Sequence, residues 1–268
     1  MDPSLYLCRI GYSGPRDPTP EVLRRIHRAH LFTVPFENLD IHLKRPIVLD
    51  EERILDKIVR QHRGGFCYEL NGGFAVLLRS LNFHVTQLSA GVARADGSFG
   101  PDFDHMTLLV ETPEPWLCDV GFGDCFLEPL PLVPDVEFHQ QGFGYRSFQI
   151  GSHWLLQRRE QNGEWKSLYK FTLIPRQLSD YVPMCHYQQT SPESHFTRQR
   201  ICSRATPEGR LTLSDLRFIV TQSGRRTETE LSGEEEYRMA LKEHFAIDLG
   251  DAEFVAPKFA ESKTGRGG

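Results

Sequence analysis

The sequence predicts an α+β fold in three parts, and three observations carry that reading. Apolar residues recur at helical spacing up to about residue 83, and from His84 the texture changes to short β-rich stretches broken by Gly and Pro. The last quarter holds a hairpin signal followed by one amphipathic helix. The boundaries fall at 1–83, 84–189 and 190–268.

Thr19-Pro20-Glu21 starts the first helix, because Thr caps well and Pro fits the first helical position; Val22, Leu23, Ile26 and Leu31 then keep roughly one face until Pro35 stops the run. Asp50 caps a second segment in which Ile54, Leu55, Ile58 and Val59 form one stripe. After Arg63-Gly64-Gly65 comes the strongest helical pattern in the chain, with Leu70, Phe74, Leu77, Leu78 and Leu81 on one face. Gly72-Gly73 sits inside it at a cost of about 1 kcal/mol each relative to Ala. Close approach of another backbone is the expected compensation.

In the second part His84–Ala93, His105–Glu111 and Trp116–Val120 read as strands, the last two joined by Thr112-Pro113-Glu114-Pro115. Trp154–Arg159 and Glu164–Thr172 flank Asn162-Gly163, a hairpin turn signal, so a meander or barrel is the natural arrangement. In the third part Leu213–Gln222 and Arg226–Leu231 form a further hairpin around Ser223-Gly224. Ser232-Gly233-Glu234-Glu235 then opens a helix with capping-box spacing, and Tyr237, Leu241 and Phe245 repeat along it. Glu261 to Gly268 are Gly-rich and polar and are expected to fray. There is no internal repeat.

The chain has 268 residues, with 31 Lys+Arg against 36 Asp+Glu and a formal net charge of −5 at pH 7. The two signs are interspersed, which disfavours a nucleic acid or an anionic membrane as partner. An aromatic content of 11% argues against a disordered chain. No apolar run approaches the ~18 residues that span a bilayer, and the start lacks the pattern of a secretion signal, so a cytoplasmic location is expected. The six cysteines, Cys8, Cys67, Cys118, Cys125, Cys185 and Cys202, are scattered. Disulfides are not expected in that setting, nor is a metal, since closely spaced ligand pairs do not recur. Oligomeric state is unreadable.

Cys67 lies at the mouth of the third helix, where peptide N–H groups and the helix dipole favour thiolate over thiol. The other five cysteines read as packing residues. A nucleophilic cysteine needs a base, and the base needs an orienting acceptor. His105 opens its strand with Thr107 and Leu109 on the same face. If that strand pairs with Trp116–Val120 so that paired residue numbers sum to an even value, Asp119 falls on His105's face; sums of 224 to 228 bring the two within reach. Asp119 sits in an apolar strand, where a carboxylate must find a donor or protonate. Gly121-Phe122-Gly123 permits close backbone approach to a ligand and offers an aromatic face. Phe36 in Pro35-Phe36-Glu37-Asn38-Leu39-Asp40 offers a second.

The segments PFENLD at 35–40, RGGFCYELNGG at 63–73, DHMTLLV containing His105, DVGFG at 119–123 and TSPESHF at 190–196 occur in this order. In that order and spacing the sequence resembles the arylamine N-acetyltransferases of bacterial type, from about residue 5 to about residue 249. The resemblance implies an N-terminal helical bundle, a central β-barrel and an α/β lid, with a Cys-His-Asp triad of the cysteine-protease kind. It implies Cys67 as the acetyl-accepting nucleophile, His105 and Asp119 as its partners, and Arg63 with Glu37 as a structural ion pair holding the cysteine loop. Phe36 and Phe122 would line the acceptor pocket and Gly123 would lie beside the coenzyme A arm. The loop Gly100-Pro101-Asp102-Phe103-Asp104 is acidic where family members differ in their coenzyme A contacts. The implied reaction transfers acetyl from acetyl-CoA, a co-substrate, to an arylamine, arylhydroxylamine or hydrazine by ping-pong kinetics, without a metal. A thiol protease, a transglutaminase or a catalytically silent binding protein could use the same residue types.

Overall fold

The computed structural model describes residues 2–160 and 163–254. Asp2 caps a short α1 (Pro3–Arg9), and Thr19 accepts the Val22 N–H at 3.3 Å to start α2 (Pro20–Thr33). A two-residue strand β1 (Phe36–Glu37) and a single helical turn α3 (Leu39–His42) follow. Asp50 accepts the Arg53 N–H at 3.0 Å to cap α4 (Glu51–Leu55), which runs on as a π-helical turn (Asp56–Arg60) before α5 (Cys67–Ser80). The predicted stripe of α5 is buried: Leu70, Phe74, Leu77 and Leu78 pack with Leu23 and Ile26 of α2 and with Ile54 and Ile58. Gly72 and Gly73 are approached by side chains and not by a backbone. A Cβ at Gly73 would sit 3.0 Å from Ile58 Cδ1 and 3.1 Å from Ile54 Cγ2, so the missing methyls make room for the isoleucine stripe of the neighbouring helix.

The second part supplies eight antiparallel strands: β2 (His84–Val92), β3 (His105–Glu111), β4 (Pro115–Cys118), β5 (Leu130–Pro131), β6 (Glu137–Gln140), β7 (Phe143–Ile150), β8 (His153–Glu160) and β9 (Lys166–Arg176). Their order is β5-β4-β3-β2-β9-β8-β7-β6. The sheet curls into a nearly closed barrel, because Leu117 and Leu130 at one end pack in a single cluster with Tyr145, Leu156 and Phe171 from the other. Period-two alternation splits β3 between two cores. Leu108 and Val110 join the helical core, whereas Leu109 packs into the barrel. β6 and β7 are not among the expected strands: β6 is four residues with Phe138 its only apolar side chain, and the alternation of β7 is interrupted by Arg146 and Gln149. The β8–β9 pair forms as expected, although Asn162 of its turn lies outside the described residues.

After β9 come a 3₁₀ turn (Leu178–Tyr181) and α6 (Val182–Thr190), up to the expected boundary at 190, and then α7 (His195–Arg198), β10 (Ile201–Thr206), β11 (Gly209–Ser214), β12 (Arg217–Gln222), β13 (Arg225–Glu230) and α8 (Glu234–Phe245). The sheet order is β1-β10-β11-β12-β13, so Phe36–Glu37 from the first part forms one edge of this sheet. The expected single arm Leu213–Gln222 is in fact the end of β11 and all of β12, divided at Asp215, which turns with φ +50°. Gly233, not Ser232, precedes α8; the Ser232 N–H instead donates to Glu236 at 2.7 Å. Tyr237, Leu241 and Phe245 cover one face of the sheet over Cys202 and Leu213. The tail Glu261 to Gly268 lies outside the described residues. Among the described residues no helix is long and apolar enough to cross a membrane.

Candidate active site

Cys67 is the first residue of α5, and the loop before it is tied down from two directions. A Cβ at Gly64 would fall on the Pro35 carbonyl oxygen, and the Glu37 N–H donates to the Gly65 carbonyl at 2.8 Å, so only glycine lets this loop lie along residues 35–37. Behind it five charged side chains are packed together. Arg63 Nε donates to Glu37 Oε1 at 2.9 Å and its guanidinium reaches Asp40 Oδ1 at 3.1 Å. Lys57 Nζ lies 2.7 Å from both Asp40 Oδ2 and Glu69 Oε1. The other oxygen of Glu69 accepts the N–H of Phe66, the residue before Cys67, at 3.1 Å. Two cations thus hold three carboxylates, and one of these carboxylates fixes the backbone just before Cys67.

The expectation that the helix start alone favours thiolate is not met. Cys67 is 4% exposed, and burial pushes its thiol well above the ordinary value, aided by the nearby Asp104 and Asp119 carboxylates. A hydrogen bond from the Met106 backbone works the other way without overcoming this. A cation at the site would favour the thiolate against this burial.

The β3–β4 register supplies one candidate. Leu108 lies opposite Cys118 and Leu109 opposite Leu117, a sum of 226 and inside the window that the sequence reading required. Asp119, one residue past β4, shares the His105 face, and His105 Nε2 lies 2.7 Å from Asp119 Oδ2. A carboxylate can only accept, so Nε2 carries the proton and Nδ1 is the remaining ring nitrogen. The second carboxylate oxygen accepts from Asn71 Nδ2 and the Gly121 N–H, both at 3.0 Å. Burial alone would raise the Asp119 carboxyl, but the His105 ring and these donors hold it below the usual carboxylate range.

Asn71, one turn beyond Cys67 on α5, also donates to the Met106 carbonyl at 2.6 Å and accepts the Val120 N–H at 3.0 Å. It joins α5, β3 and the end of β4, and the sequence reading passed over it. Gly121 is equally specific, since a Cβ there would lie 2.8 Å from Cys67 Cα. The His105 ring stands edge-on to Phe122 and tilted against Tyr169, each at 5.2 Å between centroids.

Cys67, His105, Phe36, Phe122 and Gly123 line one cleft of about 660 Å³ between the helical part, the barrel and the five-stranded sheet. Asp119 is buried behind His105, and Arg63 and Glu37 are buried behind the cysteine loop. The acidic loop contributes Asp104, whose Oδ1 accepts from Gln188 Nε2 at 2.9 Å. Asp124 stands between Arg158 at 3.0 Å and Arg210 at 3.3 Å, tying the loop after Gly123 to the barrel and to β11. Arg94, Arg198, Arg210 and Arg226 supply the basic groups of the cleft. The acidic loop pointed to Asp104, but no sequence signal singled out Asp124 or Gln188, because each meets its partners only across the fold. A larger trough of about 830 Å³ over Ala29, Phe32 and Leu127 contains none of the predicted residues.

All six cysteines are free; Cys118, Cys185 and Cys202 are buried packing residues and half-buried Cys125 packs against the barrel core, but Cys8 is exposed, against expectation. Among the described residues no cluster of three or more His, Cys, Asp or Glu could hold a metal ion.

A protein-family model described as N-acetyltransferase matches residues 19–254. The chain is 36% identical over 251 residues to the arylamine N-acetyltransferase of Escherichia coli (strain K12), covering 92% of this chain and 89% of that one. It is 38% identical over 226 residues to the arylamine N-acetyltransferase / N-hydroxyarylamine O-acetyltransferase of Salmonella typhimurium, covering 83% and 80%. Among solved structures, the Salmonella typhimurium arylamine N-acetyltransferase superposes with a TM-score of 0.88 at 34% identity over 94% of this chain and 93% of that one. The Mycobacterium marinum arylamine N-acetyltransferase in complex with CoA superposes with a TM-score of 0.87 at 31% identity over 94% and 95%.

Proposed function

The chain belongs to the arylamine N-acetyltransferase family, and on that premise we propose that Cys67, His105 and Asp119 form a triad carrying an acetyl group from acetyl-CoA to an arylamine, arylhydroxylamine or hydrazine. The observation that carries the residue assignment is the 2.7 Å contact between His105 and Asp119 on the wall of the cleft that also holds Cys67. Asp119 fixes the imidazole with Nδ1 free to take the thiol proton, which converts an otherwise high-pKa thiol into a thiolate–imidazolium pair.

The thiolate attacks the thioester carbonyl, and the backbone N–H groups at the start of α5 are the donors for the developing oxyanion. Coenzyme A leaves with its proton from His105, and the acetyl group rests on sulfur. A weakly basic aromatic amine is unprotonated at neutral pH. It enters the vacated cleft between Phe36 and Phe122, attacks the acetyl-cysteine carbonyl and gives up its proton to His105; the C–S bond breaks, the amide leaves and the Cys67 thiolate is restored beside the imidazolium. The basic residues Arg94, Arg198, Arg210 and Arg226 support placing the phosphate-bearing end of coenzyme A along this cleft, with its thioester arm beside Gly123.

Incubation with acetyl-CoA and an arylhydrazine tests the reaction. Hydrazine-dependent release of free coenzyme A, with parallel-line kinetics in double-reciprocal plots, is the expected result. Peptide cleavage without such release would instead place the chain among thiol hydrolases.

A further inference from the structure

The loop that carries Phe122 and Asp124 runs from Asp119, just past β4, through Leu127 to β5 at Leu130, and one side chain of α2 touches both Asp119 and Leu127. His27 is fully buried, stacked on Phe126 at 5.8 Å and edge-on to Phe74 at 5.8 Å. The Asp119 N–H donates to His27 Nε2 at 3.1 Å, and His27 Nδ1 lies 2.8 Å from the Leu127 carbonyl oxygen. An amide N–H only donates and a carbonyl only accepts, so these partners fix the ring as neutral with its proton on Nδ1.

The two ends differ in how else they are held. Leu127 and Glu128 are also gripped by Gln140, whose Oε1 accepts both their N–H groups at 2.9 Å. Asp119 lies beyond Cys118, the last residue of β4, and its N–H finds its acceptor on His27. Asn71 holds the Asp119 carboxylate and the Val120 N–H from the α5 side, so an unanswered buried N–H at Asp119 would loosen the backbone beneath the carboxylate that sets the His105 ring.

We infer that His27 is a positioning residue of the acetyl-transfer reaction: by bridging Asp119 and Leu127 it closes the base of this loop and fixes where the Asp119 carboxylate and the Phe122 ring meet His105. The inference rests on the reading of Cys67, His105 and Asp119 as the triad. It differs from a packing role in what it demands, since an apolar side chain fills the space but neither accepts nor donates. Glutamine does both across its amide.

The test compares His27→Leu and His27→Gln with the wild-type chain, well below their unfolding midpoints. His27→Leu is expected to lower kcat for arylhydrazine acetylation on the order of 10- to 100-fold while KM for acetyl-CoA changes less than about 3-fold, and His27→Gln recovers most of the loss. Wild-type kcat in His27→Leu, or a folded His27→Gln no better than His27→Leu, overturns the inference. Should His27→Leu not fold, nitrogen-resolved NMR of the wild-type imidazole decides: a proton on Nδ1 at neutral pH is expected, and a proton on Nε2 overturns it. Failure of the wild-type chain to acquire acetyl on Cys67 would refute the triad reading itself. Normal wild-type acetylation beside an unimpaired His27→Leu would refute only the role of His27.

Discussion

His105 Nε2 and Asp119 Oδ2 stand 2.7 Å apart, both side chains buried, with the second carboxylate oxygen held by Asn71 and Gly121. The carboxylate therefore fixes which imidazole nitrogen carries the proton, and in the proposed triad the other nitrogen takes the proton of the Cys67 thiol, whose ionisation burial opposes. Asp119→Asn is expected to lower kcat on the order of 10³- to 10⁴-fold, by releasing the imidazole from the required tautomer. Alkylation of Cys67 by iodoacetamide should slow with it at pH 7 and recover only in alkaline solution. Unchanged alkylation at pH 7 in this variant would show that His105 does not ionise the thiol.

Lys57 is the second cation of the charge cluster behind Cys67, and it alone faces Glu69. Lys57→Met leaves Glu37, Asp40 and Glu69 to Arg63, an uncompensated buried charge that should cost about 3–5 kcal/mol in urea unfolding. Adding Glu69→Gln to Lys57→Met removes the unpaired charge while keeping an acceptor for the Phe66 N–H, so part of the loss should return. Strict additivity of the two substitutions would contradict the coupling.

Acid should destabilise the fold through α2. Burial depresses His27 from its ordinary 6.5 to about 4 in the folded chain and pushes His30 down as well. The unfolded chain therefore binds protons that the folded chain refuses between these values. The stabilisation is complete above pH 6.5 and is lost as the pH falls toward 4, about 3 kcal/mol from His27 alone. Urea unfolding at pH 7 and pH 4.5 measures it, and His27→Gln should lose less stability between the two pH values than the wild-type chain. Equal losses in both would contradict the assignment.

The elements that the sequence foretold best are those whose burial is one-sided and local. The α5 stripe repeats at helical spacing over five apolar residues, and β3 matches its predicted bounds, because each signal is carried within a dozen residues. What failed depends on distant partners. Phe36–Glu37 is a strand only because β10 lies beside it, and the Asp215 turn shows no Gly or Pro. At the site, the sequence makes the meeting of His105 and Asp119 conditional on an even register sum between β3 and β4, and the observed sum of 226 supplies it. Asn71, Asp124, Lys57 and His27 were not readable, since each acts on residues at least a dozen positions away through single side-chain bonds. The thiolate expectation erred for a related reason, since a helix start is visible in sequence but the depth of its burial is not.

The most direct measurement is the mass of the Cys67 peptide after the chain is incubated with acetyl-CoA in the absence of any acceptor. The proposed triad predicts one added acetyl group on Cys67, absent in Cys67→Ala and removed when an arylhydrazine is supplied. An unmodified Cys67 in protein that nonetheless acetylates the hydrazine at full rate would contradict it.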